Sequence, residues 1–406
     1  MKIDPGEQQV IHEIQIEGHK TTDLQYVRRQ FTFKEGDPVD YSRVDLTRKK
    51  LYDTRLFKRV DLSVVKDESG YIAKTSLNEK PPWNFRYGFA VTDQLQTSDR
   101  QLGATADFTY SNLLGRAITA GTSLKYSADT REARIFGSLP VFFGKSATTT
   151  ASVFRTRDLT QPDVTQPALN LITHLWGFTI QQQWQLRNRY LLSYDYSYKR
   201  THTSDPKDPF AFGVTIPIAR FNGTLTRDTR DDILNATKGN FLSNSFEIAP
   251  PGVGSSIQFL RNFTQYLRFQ AVRGRLVWAS ALRVGAARGF HHQDLIPTEL
   301  FRAGGGTTLR GFQQDQLTTP GNGLLVVNQE LRFPLFWRFS GVSFLDAGNV
   351  YPSIGDFNPL RLRYSPGVGI RIQTPFVLVR FDMGFNVFPR AGEPRRRFAF
   401  GVGQAF

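Results

Sequence analysis

Three groups of residues in this 406-residue sequence have types and spacings that invite a chemical reading. The first is Gly304-Gly305-Gly306, inside the run Phe301-Arg302-Ala303-Gly304-Gly305-Gly306-Thr307-Thr308-Leu309-Arg310-Gly311-Phe312. A glycine-rich loop cradles phosphate when Gly-Lys-Ser/Thr follows and a helix begins; neither is present, so nucleotide binding is set aside. The second group is His291-His292 with Asp294, which lacks a third ligand or a nucleophile at useful spacing. It is expected to be a solvated loop pair rather than a metal or proton-transfer centre. No cysteine occurs, which excludes disulfides and thiolate metal sites. No catalytic residue, metal or cofactor is therefore expected, and the chain is not expected to be an enzyme. The third group is Arg310 and its glycines. Consecutive glycines permit a sharp, Cβ-free path, suited to a loop folded back into a narrow space. An arginine carried there is buried, and an unpaired buried guanidinium is too costly to leave. An exposed loop cation is the alternative.

The space in question comes from the rest of the chain. From Trp83 onward the hydrophobic period is two. Val377, Val379, Phe381, Met383, Phe385 and Val387 oppose Arg380, Asp382 and Asn386. Tyr190, Leu192, Tyr194, Tyr196 and Tyr198 likewise oppose Ser193, Asp195, Ser197 and Lys199. No run of about 18 apolar residues exists, which excludes a helical membrane span. Strands of about ten residues or more, alternating in this way, have the length a tilted strand needs to cross a bilayer. A soluble sandwich also alternates, but its strands are usually shorter. We count about sixteen such segments, an even number that lets an antiparallel sheet close on itself. Even-numbered segments end in short turns, such as Leu186-Arg187-Asn188 and Val272-Arg273-Gly274. Odd-numbered ones mostly end in longer loops, 157–170, 200–211, 349–360 and the longest, 288–323. One short-turn connection, Asp231 to Lys238, is longer than the others. Trp83, Trp176, Trp184 and Trp337 fall near strand ends, as interfacial aromatic girdles do. The expectation is an all-β membrane protein built on a 16-stranded antiparallel transmembrane barrel over 81–406.

Residues 1–80 follow a different plan. Val10 to Ile16 alternates and stops at Gly18. Asp23 can cap a helix carrying Leu24, Val27 and Phe31, and Asp40 or Ser42 a second with Tyr41, Val44 and Leu51 inward. Val60, Leu62 and Val64 alternate, Glu68-Ser69-Gly70 turns, and Tyr71 to Asn78 returns. The order is β-α-α-β-β, joined to the barrel by a stiff Pro81-Pro82. The start of the sequence has no apolar signal core, so an exported protein would be read here in mature or shortened form. The net charge of +15 is scattered among strands, without the signatures of nucleic-acid binding.

The motif ending Leu309-Arg310-Gly311-Phe312 closely resembles the Arg-Gly-aromatic loop motif of the BamA/TamA superfamily of outer-membrane assembly factors. That superfamily places β-α-α-β-β POTRA domains before a sixteen-stranded barrel. Leu56-Phe57-Lys58-Arg59-Val60 is similar to the entry of the second POTRA strand. Val342 to Val350 is similar to the strand that receives the motif. The resemblance implies that Arg310 pairs with Asp346 on that strand and with a second acid, Glu330, on the preceding one. Phe344, on the same face as Asp346, can cover the guanidinium by a cation–π contact.

Closure of the sheet requires Trp83–Thr92, carrying Trp83, Phe85 and Tyr87, to pair with Arg397–Phe406, which ends on Phe406. Gly401 and Gly403 contribute no packing, so this seam is expected to be weak. An openable seam exposes an edge strand, a template for another chain; a permanently closed pore is the alternative. The resemblance implies a factor that folds and inserts β-barrel clients through this lateral gate, its POTRA domain in the periplasm of a Gram-negative-type cell. Implied partners are outer-membrane lipids, unfolded client barrels and periplasmic accessory proteins that meet the POTRA domain, with no nucleic acid. The alternative is a secretion pore of the same superfamily, exporting a partner polypeptide through the lumen.

Overall fold

Where the hydrophobic period is mixed the chain forms a small α/β domain, and where it is two the chain forms one long sheet. The computed structural model describes residues 9–406 except 69, 94–99, 128–129, 141–146, 161–170, 187–188, 205–212, 234, 292, 297–298, 314, 318–320 and 375–377. The N-terminal elements are β1 (Ile11–Glu17), α1 (Leu24–Arg28), α2 (Tyr41–Asp53), β2 (Phe57–Asp67) and β3 (Gly70–Glu79). β3 lies between the other two strands, parallel to β1 and antiparallel to β2. Both helices begin on an aspartate. Asp23 accepts from the Gln25 amide and Asp40 from those of Ser42 and Arg43, satisfying N–H groups that have no partner within the helix.

The helix faces differ from expectation. α1 ends at Arg28, before Phe31, and buries Tyr26 and Val27, leaving Leu24 exposed. In α2 the inward stripe is Val44, Thr47 and Leu51; Tyr41, at the first helical position, is 64% exposed. Val27, Leu51, Leu56, Phe57, Val60 and Leu77 form the core.

By Cα packing the chain divides into two compact units, one comprising Met1–Gly88, Thr105–Lys125 and Glu132–Val153, the other the remainder. The first unit therefore does not stop at Pro81-Pro82. It contains Thr105–Lys125, most of the hairpin of β5 (Arg100–Leu113) and β6 (Ile118–Tyr126), whose turn docks on the α1 end of the small domain. The Asp23 amide donates to the Gly115 carbonyl at 2.9 Å, and the Asn112 side-chain amide to Thr22 Oγ1 at 2.9 Å. Gly115 takes φ +69°, and a Cβ there would lie 2.7 Å from the Asp23 nitrogen, so glycine is needed for the approach. Ala117 completes the contact by joining the core around Tyr26 and Val27.

Sixteen antiparallel strands follow one another in a single hydrogen-bonded order, from β4 to β19. β4 is Trp83–Asp93, β7 Thr130–Leu139, β8 Ala147–Thr160, β9 Leu171–Gln185 and β10 Tyr190–Ser204. β11 is Gly213–Asp228, β12 Gly239–Ala249, β13 Phe259–Arg273 and β14 Leu276–Gly289. β15 is Gly323–Pro334, β16 Phe339–Tyr351, β17 Arg363–Gln373, β18 Leu378–Phe385 and β19 Arg396–Val402. Strands run further toward the long loops than the sequence pattern suggested. Residues 157–160 belong to β8, and 200–204 stay in β10 because Thr201–Ser204 keep pairing with Gly213–Ile216.

The distribution of side chains is the inverse of a soluble sandwich. On β18, Phe381 is 47% exposed while Arg380 and Asp382 are buried; on β9, Trp176 and Ile180 are exposed. Apolar bulk faces outward and charge faces inward, as lipid requires. Among the described residues no helix is long and apolar enough to cross a membrane.

Glu79, at the end of β3, holds the loop that docks on the hairpin. Its carboxylate accepts from the amides of Lys20, Thr21 and Thr22 and from Thr21 Oγ1, at 2.7–3.2 Å. Burial alone would raise its pKa, but the hydrogen bonds from Thr22 and Thr21 outweigh it and hold the carboxyl at about 2. A depressed carboxylate pKa stabilises the fold fully above the ordinary carboxylate range, and the contribution disappears as pH falls toward 2. Glu79→Gln turns one acceptor into a donor facing donors, costing about 1–3 kcal/mol locally. Amide exchange at Lys20–Thr22 in the full chain should accelerate by roughly ten- to a hundredfold at neutral pH. The difference from wild type should shrink on acidification; equal exchange at pH 7 would show that the carboxylate does not hold the loop.

Candidate functional site

The connection between β14 and β15 turns back on itself. Ala303 and Leu317 pair as an antiparallel bridge, the Phe301 amide donates to Gly321, and the Gly305 amide to Leu309 and Phe312. Phe301, Ala303, Leu309, Phe312 and Leu317 pack with Leu324, Val326 and Val350 of the strands. The loop is thus a packed element on the inner face of the sheet, and Arg310 within it is 1% exposed.

Every guanidinium nitrogen of Arg310 is engaged. Nε and one terminal nitrogen bind the two oxygens of Asp346 at 2.9 and 2.7 Å, and the other terminal nitrogen binds Glu330 Oε2 at 2.9 Å. The Arg310 amide also donates to Asp346, at 3.0 Å. Phe344 lies flat beneath the cation, with 3.3 Å from Cζ to the ring centroid. Paired, forked and stacked, the guanidinium exchanges water for fixed partners; removing one partner of such a buried set costs about 3–5 kcal/mol. Leu309 is fully buried against Gly348, and Phe312 is fully buried with the Arg363 guanidinium 4.9 Å above its ring.

Around this pair lies a wider set that the sequence reading did not assign. Asp382 Oδ2 stands 3.7 Å from Arg310 and binds Arg371 through both oxygens. Glu330 also binds Arg332 at 2.8 Å. Asn328 donates to Asp346 and to the Thr308 carbonyl, and accepts from Arg283. Strand parity was the signal available. Asn328, Glu330 and Arg332 alternate on β15, and Arg380 and Asp382 on β18, so each set points to one face.

The loop reaches this cluster because the inner face of three consecutive strands is floored with glycine. A Cβ on Gly367 of β17 would strike the Phe344 ring at 2.2 Å. One on Gly384 of β18 would strike the backbone of Arg310 and Gly311 at 2.5–2.9 Å. Gly311 fits the same slot from the other side, its amide donating to Ser365 Oγ at 2.6 Å. Gly401 of β19 leaves room for Arg380, whose guanidinium a Cβ would meet at 2.5 Å and which donates to the Gly306 carbonyl at 2.8 Å. Gly401 therefore has a packing reason.

The residues expected at the seam are dispersed. Trp83, Phe85 and Tyr87 lie on β4 with exposed side chains. β4 and β19 stand at the two ends of the sheet order. The last strand is shorter than expected. It ends at Val402, and Gly403, at φ +82°, turns the chain off the sheet. Phe406 is not a strand residue. It lies against Phe269, with ring centroids 6.4 Å apart, in a cluster with Ala236 and Leu267. Gln404 bridges Asn235 and Arg371. The alternation through 406 suggested a strand, but the interior polar partners outcompete the ladder. His291 sits in the long loop, and His292 lies outside the described residues, among which no three metal-ligating side chains converge.

Residues 112–406 match the Omp85 superfamily domain. Over 98% of its length the chain is 23% identical to the outer membrane protein assembly factor BamA of Nitratidesulfovibrio vulgaris, covering 51% of that protein. Over 94% it is 25% identical to the chloroplastic outer envelope protein 80 of Arabidopsis thaliana, covering 54%. The chain thus spans about half the length of the curated relatives it matches. The crystal structure of BamA from Haemophilus ducreyi lacking POTRA domains 1–3 superposes with a TM-score of 0.84 at 16% identity, over 98% of this chain and 85% of that one. CdiB from Escherichia coli superposes with 0.62 at 17%, over 97% and 76%. With its N-terminal β-α-α-β-β domain, its sixteen-stranded sheet and a loop folded onto the inner face, the chain is a member of the Omp85 superfamily, an outer-membrane β-barrel from a family of assembly factors and transporters rather than enzymes.

Proposed function

We propose that this chain folds and inserts β-barrel client proteins into the outer membrane, receiving the client's edge strand at a lateral gate between β4 and β19. The observation that carries this reading is the short final strand. β19 has seven residues, against 13 in β16 and 11 in β17, and Gly403 takes the chain off the sheet before the strand could extend. A terminal strand with few ladder bonds leaves backbone donors and acceptors for an incoming strand. The N-terminal domain faces the periplasm in this reading and meets accessory proteins and unfolded clients there. The latched loop holds β15 to β18 rigid, so that movement is confined to the ends of the sheet order. The likeness to CdiB favours a second reading, a pore exporting a partner polypeptide through the lumen.

Arg310 tests the latch. Arg310→Ala strands Asp346, Glu330 and Asp382 without their shared cation and should free the loop to protease while lowering client insertion at least tenfold. Arg310→Lys should recover part of the activity, because an ammonium keeps the charge but not the fork. Heat-modifiable gel mobility reports whether each variant still folds. Wild-type protease resistance and insertion in a folded Arg310→Ala protein would remove the latch from the mechanism.

A crosslink tests the gate. The chain has no cysteine, so one cysteine in β4 between 84 and 90 and one in β19 between 398 and 401 form a single defined disulfide. Oxidation should stop client insertion in reconstituted vesicles and reduction restore it. Full insertion by the quantitatively crosslinked protein would exclude the gate, and retained export of a threaded polypeptide would favour the pore.

A further inference from the structure

The outer face of β8 to β11 carries a feature that neither the loop nor the seam uses. Along β10 the outward residues are Tyr194, Tyr196 and Tyr198, then Arg200 and His202 toward the long-loop end. Their partners on β9 repeat the sequence, with Phe178 opposite Tyr198, Trp176 opposite Arg200 and His174 opposite His202. Ring centroids of Trp176–Tyr198, Phe178–Tyr198 and Tyr196–Phe221 lie 5.5, 5.8 and 5.0 Å apart, a continuous aromatic belt. Immediately beyond the belt the same face turns basic. Arg155 of β8, His174, Arg200 and His202 line a groove of about 510 Å³ with Trp176 and Thr215, and no acid lines it. Among the described residues neither Arg155 nor Arg200 has a carboxylate partner, whereas the inner-face arginines 310, 332 and 371 are all paired. His202 Nδ1 is held 2.8 Å from Thr215 Oγ1.

Two arginines without a carboxylate partner among the described residues make this outward face attractive to a counter-charge, and the belt fixes where it lies. Aromatic belts sit at the level where hydrocarbon meets headgroups. Arg200 and His202 are two and four residues past Tyr198, about 7 and 13 Å along the strand, within or just above the headgroup layer. They point toward the leaflet on the long-loop side, which in outer-membrane barrels is the external one. Arginine forks match phosphate oxygens, and the exposed Trp176 ring, opposite Arg200 and packed against the Tyr198 ring of the belt, offers a surface for an acyl chain. A site that is basic above and aromatic below is complementary to an amphiphile rather than to a free anion.

We propose that Arg155, Arg200, His174 and His202 form a binding site for a phosphorylated lipid headgroup of the external leaflet, with Trp176 seating its acyl chain. The arginines supply permanent charge; the imidazoles add donors. This site is independent of the gate and the latch.

The test uses the full chain in phosphatidylcholine vesicles, with and without diphosphorylated lipid A, and reads the midpoint of its heat-modified gel mobility. Lipid A should raise the wild-type midpoint by a few degrees. Arg155→Gln/Arg200→Gln should lose more than two thirds of that rise while keeping the wild-type midpoint in pure phosphatidylcholine, which shows that the fold is intact. Dephosphorylated lipid A should not replace lipid A. Arg288→Gln/Arg361→Gln, exposed cations at the long-loop ends of other strands, should keep the full rise. An undiminished rise in the Arg155/Arg200 variant would overturn the proposal, as would an equal loss in the control pair. The same rise with millimolar inorganic phosphate in pure phosphatidylcholine would assign the groove to a free anion and also overturn it.

Discussion

The buried pairing of Arg310 with Asp346 and Glu330 is the interaction on which the rest of the barrel's interior depends. A guanidinium withdrawn from water must find its partners before the loop carrying it gains anything by folding inward. Asp346 meets it with both oxygens and also caps the loop backbone through the Arg310 amide, so a single carboxylate fixes the side chain and the main chain together. Once that is set, the neighbouring charges are spoken for: Glu330 must serve Arg332 as well, and Asp382 must serve Arg371. The inner wall is a chain of shared ions in which no member can change sign without stranding the next.

That arrangement has a steric counterpart. Charged side chains and a loop backbone occupy the same inner face only if something else is missing, and what is missing is the Cβ of Gly367, Gly384 and Gly401. The glycines of β17 to β19 act as space rather than as joints. Gly403 is the exception; its positive φ redirects the chain and sends Gln404 and Phe406 to partners inside.

How far the sequence could be read followed from the range of the forces involved. The strand period, the count of strands and the contrast of short turns with long loops are local patterns, and they are present in the residues. The glycines marked a loop folded back into a narrow space, but the pairing of Arg310 with Asp346 and Glu330 was readable only through the motif's resemblance to the superfamily loop. Asp382 and Arg371 were not readable as partners, because their role depends on how β17 and β18 are registered against the loop. Leu24 and Tyr41 were misplaced for a related reason: a helical wheel gives a face, but where a short helix begins and ends decides which residues of that face meet the sheet. Phe406 continued a period-two pattern that competition from interior partners cut short.

The contact between Asp23 and Gly115 has a consequence for how this protein varies. Thr22 and Asp23 belong to the small domain, and Asn112, Gly115 and Ala117 to a barrel hairpin some ninety positions later, yet each side completes the other. A domain whose core is finished by an alanine from elsewhere cannot be exchanged as a module. Homologues should therefore inherit the 21–23 segment and the 112–117 turn as one co-varying unit, and a graft that crosses Pro81-Pro82 would have to carry both.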